Sequence, residues 1–273
     1  ERRRAGETIL VPVLSELDGL RDLLRLGRHL ATPAGGFVQP LVPVTSTQPA
    51  TIEAGRAKRS EVDRELRELG GDAETMLRVN RSVAAGLNEA AIEMDASLLL
   101  LGWPGPNDLR AWMVGATYNE IVAATSVPVA IAALHPDAAE GRVVLYLDAD
   151  ELVPGNLATM TLALELATTL ARARGEVLVL GPMAPSTLET AGIPVPTTVD
   201  HRDGEQAMEE WATAVTQPGD LVVVPILDTE IQPTAVRVYR SGRSVVAVKQ
   251  NPETATAAVV TPMTLQFDQT VGG

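Results

Sequence analysis

The 273 residues contain no cysteine, so disulfides, thiolate metal sites and a cysteine nucleophile are excluded, and stability has to come from packing. Basic surplus is missing too: 22 Lys and Arg stand against 35 Asp and Glu. The formal net charge of -13 repels a phosphate backbone, and no Lys/Arg stripe or aromatic platform compensates, so nucleic acid is excluded as a partner. Histidine is scarce: His29, His135 and His201 lie far apart, none with a second histidine at helical ligand spacing, and no metal site is expected. No apolar run reaches the roughly 18 to 20 residues that a membrane helix requires. The chain starts at Glu1 without a methionine or a signal-peptide pattern, and a segment cut from a longer polypeptide is expected.

What is present is a globular profile, with 45% hydrophobic and 21% charged residues in a length comfortable for two domains. Short apolar runs bounded by turn residues alternate with helical patterns, which is the mark of parallel βα units. In the first half, strands are predicted at 9–13, 37–44, 74–80, 97–102 and 127–132, with helices at 17–31, 52–69, 82–93 (Ser82 as N-cap) and 115–124. In the second half, strands are predicted at 143–148, 177–181, 197–201, 221–226 and 244–249, with helices near 157–174 and 204–215. The recurrence of strand, helix and buried strand at nearly equal spacing is most economically a duplication. Near-continuous apolar strands such as 98–101 and 221–224 require cover on both faces, hence two tandem three-layer α/β/α domains with parallel five-stranded sheets. The expected units are 1–138, 139–252 and a C-terminal tail, 253–273, without clear period.

One constellation could carry binding chemistry. After the fourth strand comes GWPGPNDLRAWMVGAT, in which Gly102, Gly105 and Gly115 follow a G-x2-G-x9-G spacing and Gly115 is expected to open a helix. Glycines let backbone approach an anion, and the free amides of a helix start point at it. The place, beyond the carboxyl end of a parallel strand, is where open α/β sheets bind ligands. Trp103, inside the loop, could stack on a base, although packing is an equally physical role for it, as for Trp112 and Trp211. The acidic pairs Asp148 with Asp150 and Glu209 with Glu210 read as solvated carboxylates, and no catalytic set emerges.

This spacing, with ILVPV as first strand and SVPVAIA as last, resembles the nucleotide-binding motif of universal stress proteins. The resemblance implies a Rossmann-like, adenine nucleotide alpha hydrolase-like fold. It also implies phosphate contacts from Gly102, Gly105, Gly115, Ala116 and Thr117, and adenosine contacts near Pro12, Val13, Val44 and Trp103, for ATP, AMP or another adenine nucleotide. Two positions depart from the family pattern: Ala116 stands where Ser or Thr follows the last glycine, with Thr117 one place later, and Leu14 stands where the first strand usually ends in aspartate. The alternative is that these are turn and cap glycines of a scaffold that no longer binds nucleotide. Between 221 and 240 the second half has no glycine, so no phosphate site is expected there. Stress-protein domains commonly pair through their last strands, which implies an intrachain pseudo-dimer with 127–131 beside 245–249.

ASLLLLGW, RVNRSVAAGLNEAA and the degenerate second repeat resemble the cytosolic tails of bacterial cation:proton antiporters, and the basic start ERRR suits the cytoplasmic end of a membrane helix. The resemblance implies a non-enzymatic regulatory module. Its partner would be the transmembrane antiporter domain of the same polypeptide, at the cytoplasmic face of the inner membrane in a homodimeric parent. A free-standing tandem stress protein binding ATP, AMP or a cyclic nucleotide is the other reading.

Overall fold

The computed structural model describes residues 8–14, 19–71, 74–103, 111–136, 141–204, 208–227 and 233–251. Its first half runs β1 (Thr8–Pro12), α1 (Leu20–Ala31), β2 (Phe37–Val44), α2 (Pro49–Glu68), β3 (Met76–Val79), α3 (Val83–Glu93), β4 (Leu98–Gly102), α4 (Ala111–Ala124) and β5 (Val129–Ala133). The second half runs β6 (Val143–Leu147), α5 (Leu157–Ala173), β7 (Leu178–Pro182), α6 (Pro185–Thr190), β8 (Val199–His201), α7 (Met208–Val215), β9 (Leu221–Pro225), α8 (Pro233–Arg240) and β10 (Ser244–Lys249). Among the described residues no helix is long and apolar enough to cross a membrane.

The helices follow local rules. In α1, Leu20, Leu23, Leu24, Gly27 and Leu30 recur at helical spacing and are buried, while Asp22 sits in the first turn and Arg28 and His29 in the last, as the helix dipole favours. Ser82 caps α3, its hydroxyl accepting from the Ala85 amide at 3.1 Å. Two helices were not expected from the pattern, α6 and α8. Both begin at proline and are too short, at 6 and 8 residues, for a 3.6-residue period to stand out. Two further expectations are corrected. The helix expected at 204–215 is α7, from Met208, and Gly115, expected to open a helix, lies in the second turn of α4. Ala111, Trp112 and Met113 tolerate helix well, so nothing delays the start to the glycine.

All ten strands join one sheet in the order β3-β2-β1-β4-β5-β10-β9-β6-β7-β8. Each half is parallel, and the one antiparallel junction is β5 against β10, from Val129↔Lys249 to Ala133↔Val245. The resemblance implied this pairing of last strands; 245–249 is as expected, whereas the first-half partner is 129–133 rather than 127–131, and the junction pairs two edges that would otherwise be open. The register centres on Ile131 and Ala247, so a local two-fold relates the halves.

Side-chain alternation then builds two cores. Ile9, Val11, Leu98 and Leu100 face a layer with α1, α2 and α5, whereas Leu10, Leu99 and Leu101 face one with α3, α4, α7 and α8. Both cores continue across the seam, and α1 packs on α5. At the start of β6, Arg142 is bound bidentately to Asp220, which is buried at the start of β9 (Nη2 to Oδ2 2.7 Å). A side chain at Gly141 would place its Cβ 2.0 Å from the Gly219 carbonyl oxygen, so this approach requires glycine.

Candidate functional site

In open parallel sheets the ligand crevice lies outside the carboxyl ends of the strands, where the strand order reverses. In the first half that point is between β1 and β4. Pro12 ends β1, the buried Val13 continues it by donating to Leu41 O at 2.8 Å, and the buried Val44 ends the neighbouring β2. Gly102 ends β4, and Trp103 extends the ladder with its amide on Ala132 O at 2.8 Å. The structure therefore brings Pro12, Val13, Val44, Gly102 and Trp103 to one edge. Gly105 lies outside the described residues.

Gly115, Ala116 and the half-buried Thr117 share the second turn of α4. The amides left free at a helix start belong to its first turn, and α4 is already helical from Ala111 to Val114, so Gly115 does not stand at the helix start. Gly102 has a packing role of its own, because an added Cβ would lie 2.9 Å from Leu23 Cδ2 of α1.

Two tyrosines that sequence reasoning did not single out anchor this edge. Tyr118 of α4, fully buried, donates its hydroxyl to the Gly102 carbonyl, and burial pushes its pKa up, which keeps the donor protonated. Tyr239 of α8 lies 6.2 Å from the Trp103 ring, tilted at 43°, and stacks on His135 at 4.2 Å. Trp103 thus packs against the second repeat, a contact that no local pattern announces. Trp211 is likewise a packing residue, edge-on to Tyr146 at 5.5 Å with its indole N–H on Arg202 O at 3.1 Å.

The second half presents its corresponding edge on the opposite side of the sheet, because its strands run the other way. The registers place Asp148 there where the first half has Leu14. Asp148 is engaged locally, accepting from the Tyr146 hydroxyl at 3.1 Å and the Asp150 amide at 3.0 Å. Among the described residues no group of three His, Asp or Glu is placed to hold a metal ion.

With this geometry in hand, comparison with known proteins is informative. Residues 29–133 match the universal stress protein family, from the end of α1 through β5. This stretch is similar to universal stress protein domains. Over 148 residues, covering 51% of the chain, it is 28% identical to the Na(+)/H(+) antiporter NhaS5 of Synechocystis sp., of which the match covers 21%, so the chain spans about a fifth of that relative. A universal stress protein of Pseudomonas aeruginosa superimposes with a TM-score of 0.62 at 14% identity, covering 93% of this chain and 96% of that one. The cytoplasmic domain of a prokaryotic cation chloride cotransporter gives 0.59 at 17% identity, covering 92% and 98%. At these identities the two structures establish the fold, a tandem of stress-protein-like halves on one mostly parallel sheet.

Proposed function

We propose that this chain is a cytosolic regulatory, ligand-sensing module of a membrane cation:proton antiporter exchanging Na+ or K+ for protons. The observation that carries the reading is its likeness to an Na(+)/H(+) antiporter over 148 residues. A cotransporter whose cytoplasmic domain has the same fold supports the placement. In this reading the module is not an enzyme. It spans two units, 1–138 and 139–252, follows the transmembrane domain of the same polypeptide at the cytoplasmic face of the inner membrane, and belongs to a homodimeric parent. Its first repeat takes an adenine nucleotide at the edge formed by Pro12, Val13, Val44, Gly102 and Trp103, with Gly105, Gly115, Ala116 and Thr117 on the phosphate side. Ligand biases transport only by as much as its affinities for the two transport states differ.

The test is deletion of this module from the full-length transporter, with cation-driven proton flux measured in membrane vesicles across pH. A changed pH or cation dependence is expected, and identical transport in every parameter refutes the reading.

A second reading, a free-standing tandem stress protein binding ATP, AMP or a cyclic nucleotide, is favoured by the superposition on 96% of the P. aeruginosa stress protein. The gene upstream of the Glu1 codon separates the two: a run of membrane-spanning segments in frame supports the first, a nearby start codon the second. Under either, calorimetry with ATP and AMP on the wild type and Gly105→Val tests the nucleotide site, and binding unaffected by the substitution refutes its placement.

A further inference from the structure

The glycine loop of the first repeat departs from Trp103, and the ring that packs on Trp103 belongs to the other repeat. The Trp103 amide donates to Ala132 O at 2.8 Å, one step beyond the Gly102↔Ala132 pair, so its backbone continues β4 against β5. Its indole lies 6.2 Å from the Tyr239 ring of α8, tilted at 43°, within the range of attractive aromatic pairs. We propose that Tyr239 is a positioning residue of the first-repeat site, so that the second repeat, which has no glycine loop of its own, completes the adenine-nucleotide site of the first. This inference rests on the nucleotide reading of that site.

Tyr239 is itself held at two points. His135 stacks on its ring at 4.2 Å and 13°, and His135 Nε2 lies 3.0 Å from Tyr239 O. A carbonyl oxygen only accepts, so Nε2 carries the proton and donates. The His135 amide donates in turn to Oγ of Ser244, fully buried at the start of β10, at 2.9 Å. The residue from which the loop departs is thus tied to the seam in three steps, Trp103 to Tyr239, Tyr239 to His135, and His135 to β10. Ordering a rotamer-rich side chain on binding costs affinity, and a ring already fixed by Tyr239 avoids that cost.

The two-fold at the seam makes Ile226 the equivalent of Trp103: the Ile226 amide donates to Val248 O at 2.6 Å, as the Trp103 amide does to Ala132 O. The backbone does the same at both places, and of the two residues the aromatic one is that from which the glycine loop departs. Continuing the sheet therefore does not require an aromatic side chain here, and the Trp103 ring is available for a task on the loop side.

The experiment is calorimetric titration of the whole chain with AMP and with ATP, for the wild type, for Tyr239→Leu, which keeps apolar bulk and removes the ring, and for Tyr239→Phe, which keeps the ring. Fluorine NMR of the same proteins carrying fluorotryptophan, with the Trp103 resonance assigned through Trp103→Phe, reports the contact without any nucleotide. Tyr239→Leu is expected to weaken nucleotide binding about two- to tenfold and to shift the Trp103 resonance, and Tyr239→Phe to restore both. Equal affinities for wild type and Tyr239→Leu overturn this inference alone, as does a Trp103 resonance that Tyr239→Leu leaves in place. A loss of affinity as large in Tyr239→Phe as in Tyr239→Leu overturns it too, because the ring would then not be what acts. A wild type that binds neither nucleotide refutes the nucleotide reading, and the inference falls with it.

Discussion

The Tyr118 hydroxyl donates a hydrogen bond to the carbonyl of Gly102, tying α4 to the end of β4 at the point where the glycine loop departs. Tyr118 is fully buried in the second core layer, and Gly102 is half-buried at the end of the strand. Tyr118→Phe keeps the ring and deletes the donor to a partly buried carbonyl, and is expected to cost about 1 kcal/mol in urea unfolding. An unchanged midpoint would mean that water takes over the carbonyl.

Trp103 and Tyr239 join the loop of one repeat to the last helix of the other. Their centroid separation of 6.2 Å is within aromatic-pair range, so a double-mutant cycle with Trp103→Ala and Tyr239→Ala is expected to give a coupling of about 0.5 to 1.5 kcal/mol. Strict additivity would show that the rings merely adjoin.

Asp220 is 4% exposed and accepts from the Arg142 amide (3.0 Å), the Arg142 guanidinium (2.7 Å) and the Gln217 amide (2.9 Å). The carboxylate holds the guanidinium above its ordinary pKa. Asp220→Ala strands all three donors and is expected to destabilise by about 2 to 4 kcal/mol, with Asp220→Asn milder because one acceptor oxygen remains. Equal effects of the two substitutions in chemical denaturation would contradict this.

His29 is half-buried at the end of α1, and its pKa is lowered, first by burial and then by Arg174, Arg28 and Arg25. A histidine that is harder to protonate when folded binds fewer protons than its unfolded counterpart. Stability therefore holds above the unfolded value of 6.5 and falls as the pH drops through the lowered folded value. His29→Gln is expected to flatten the acid side of the Tm profile below the unfolded value of 6.5. A variant with the wild-type slope would assign the acid sensitivity to other groups.

Much of the architecture was legible from the residues. Strands such as Leu98–Gly102 are apolar on both faces, so they announce a sheet covered twice, and helices such as α1 repeat leucine at the spacing of a buried stripe. The short helices α6 and α8 were not legible, since a helix of one or two turns leaves no period to count. The candidate site was legible only as a stretch of chain. Its glycine spacing is local, but whether Gly115 starts a helix depends on how far α4 winds back towards Ala111.

By itself, then, the sequence determined the two βα repeats and the place of the glycine loop along the chain, which rest on local periodicity and on the need to bury apolar faces. The strands that pair at the seam were implied by the resemblance to stress proteins. Tertiary structure alone decided that Tyr118 holds Gly102 and that Trp103 meets Tyr239. Neither pairing carries meaning along the chain, because each joins side chains of separate elements that only the antiparallel register of β5 and β10 and the packing of the helices on the sheet bring together in space.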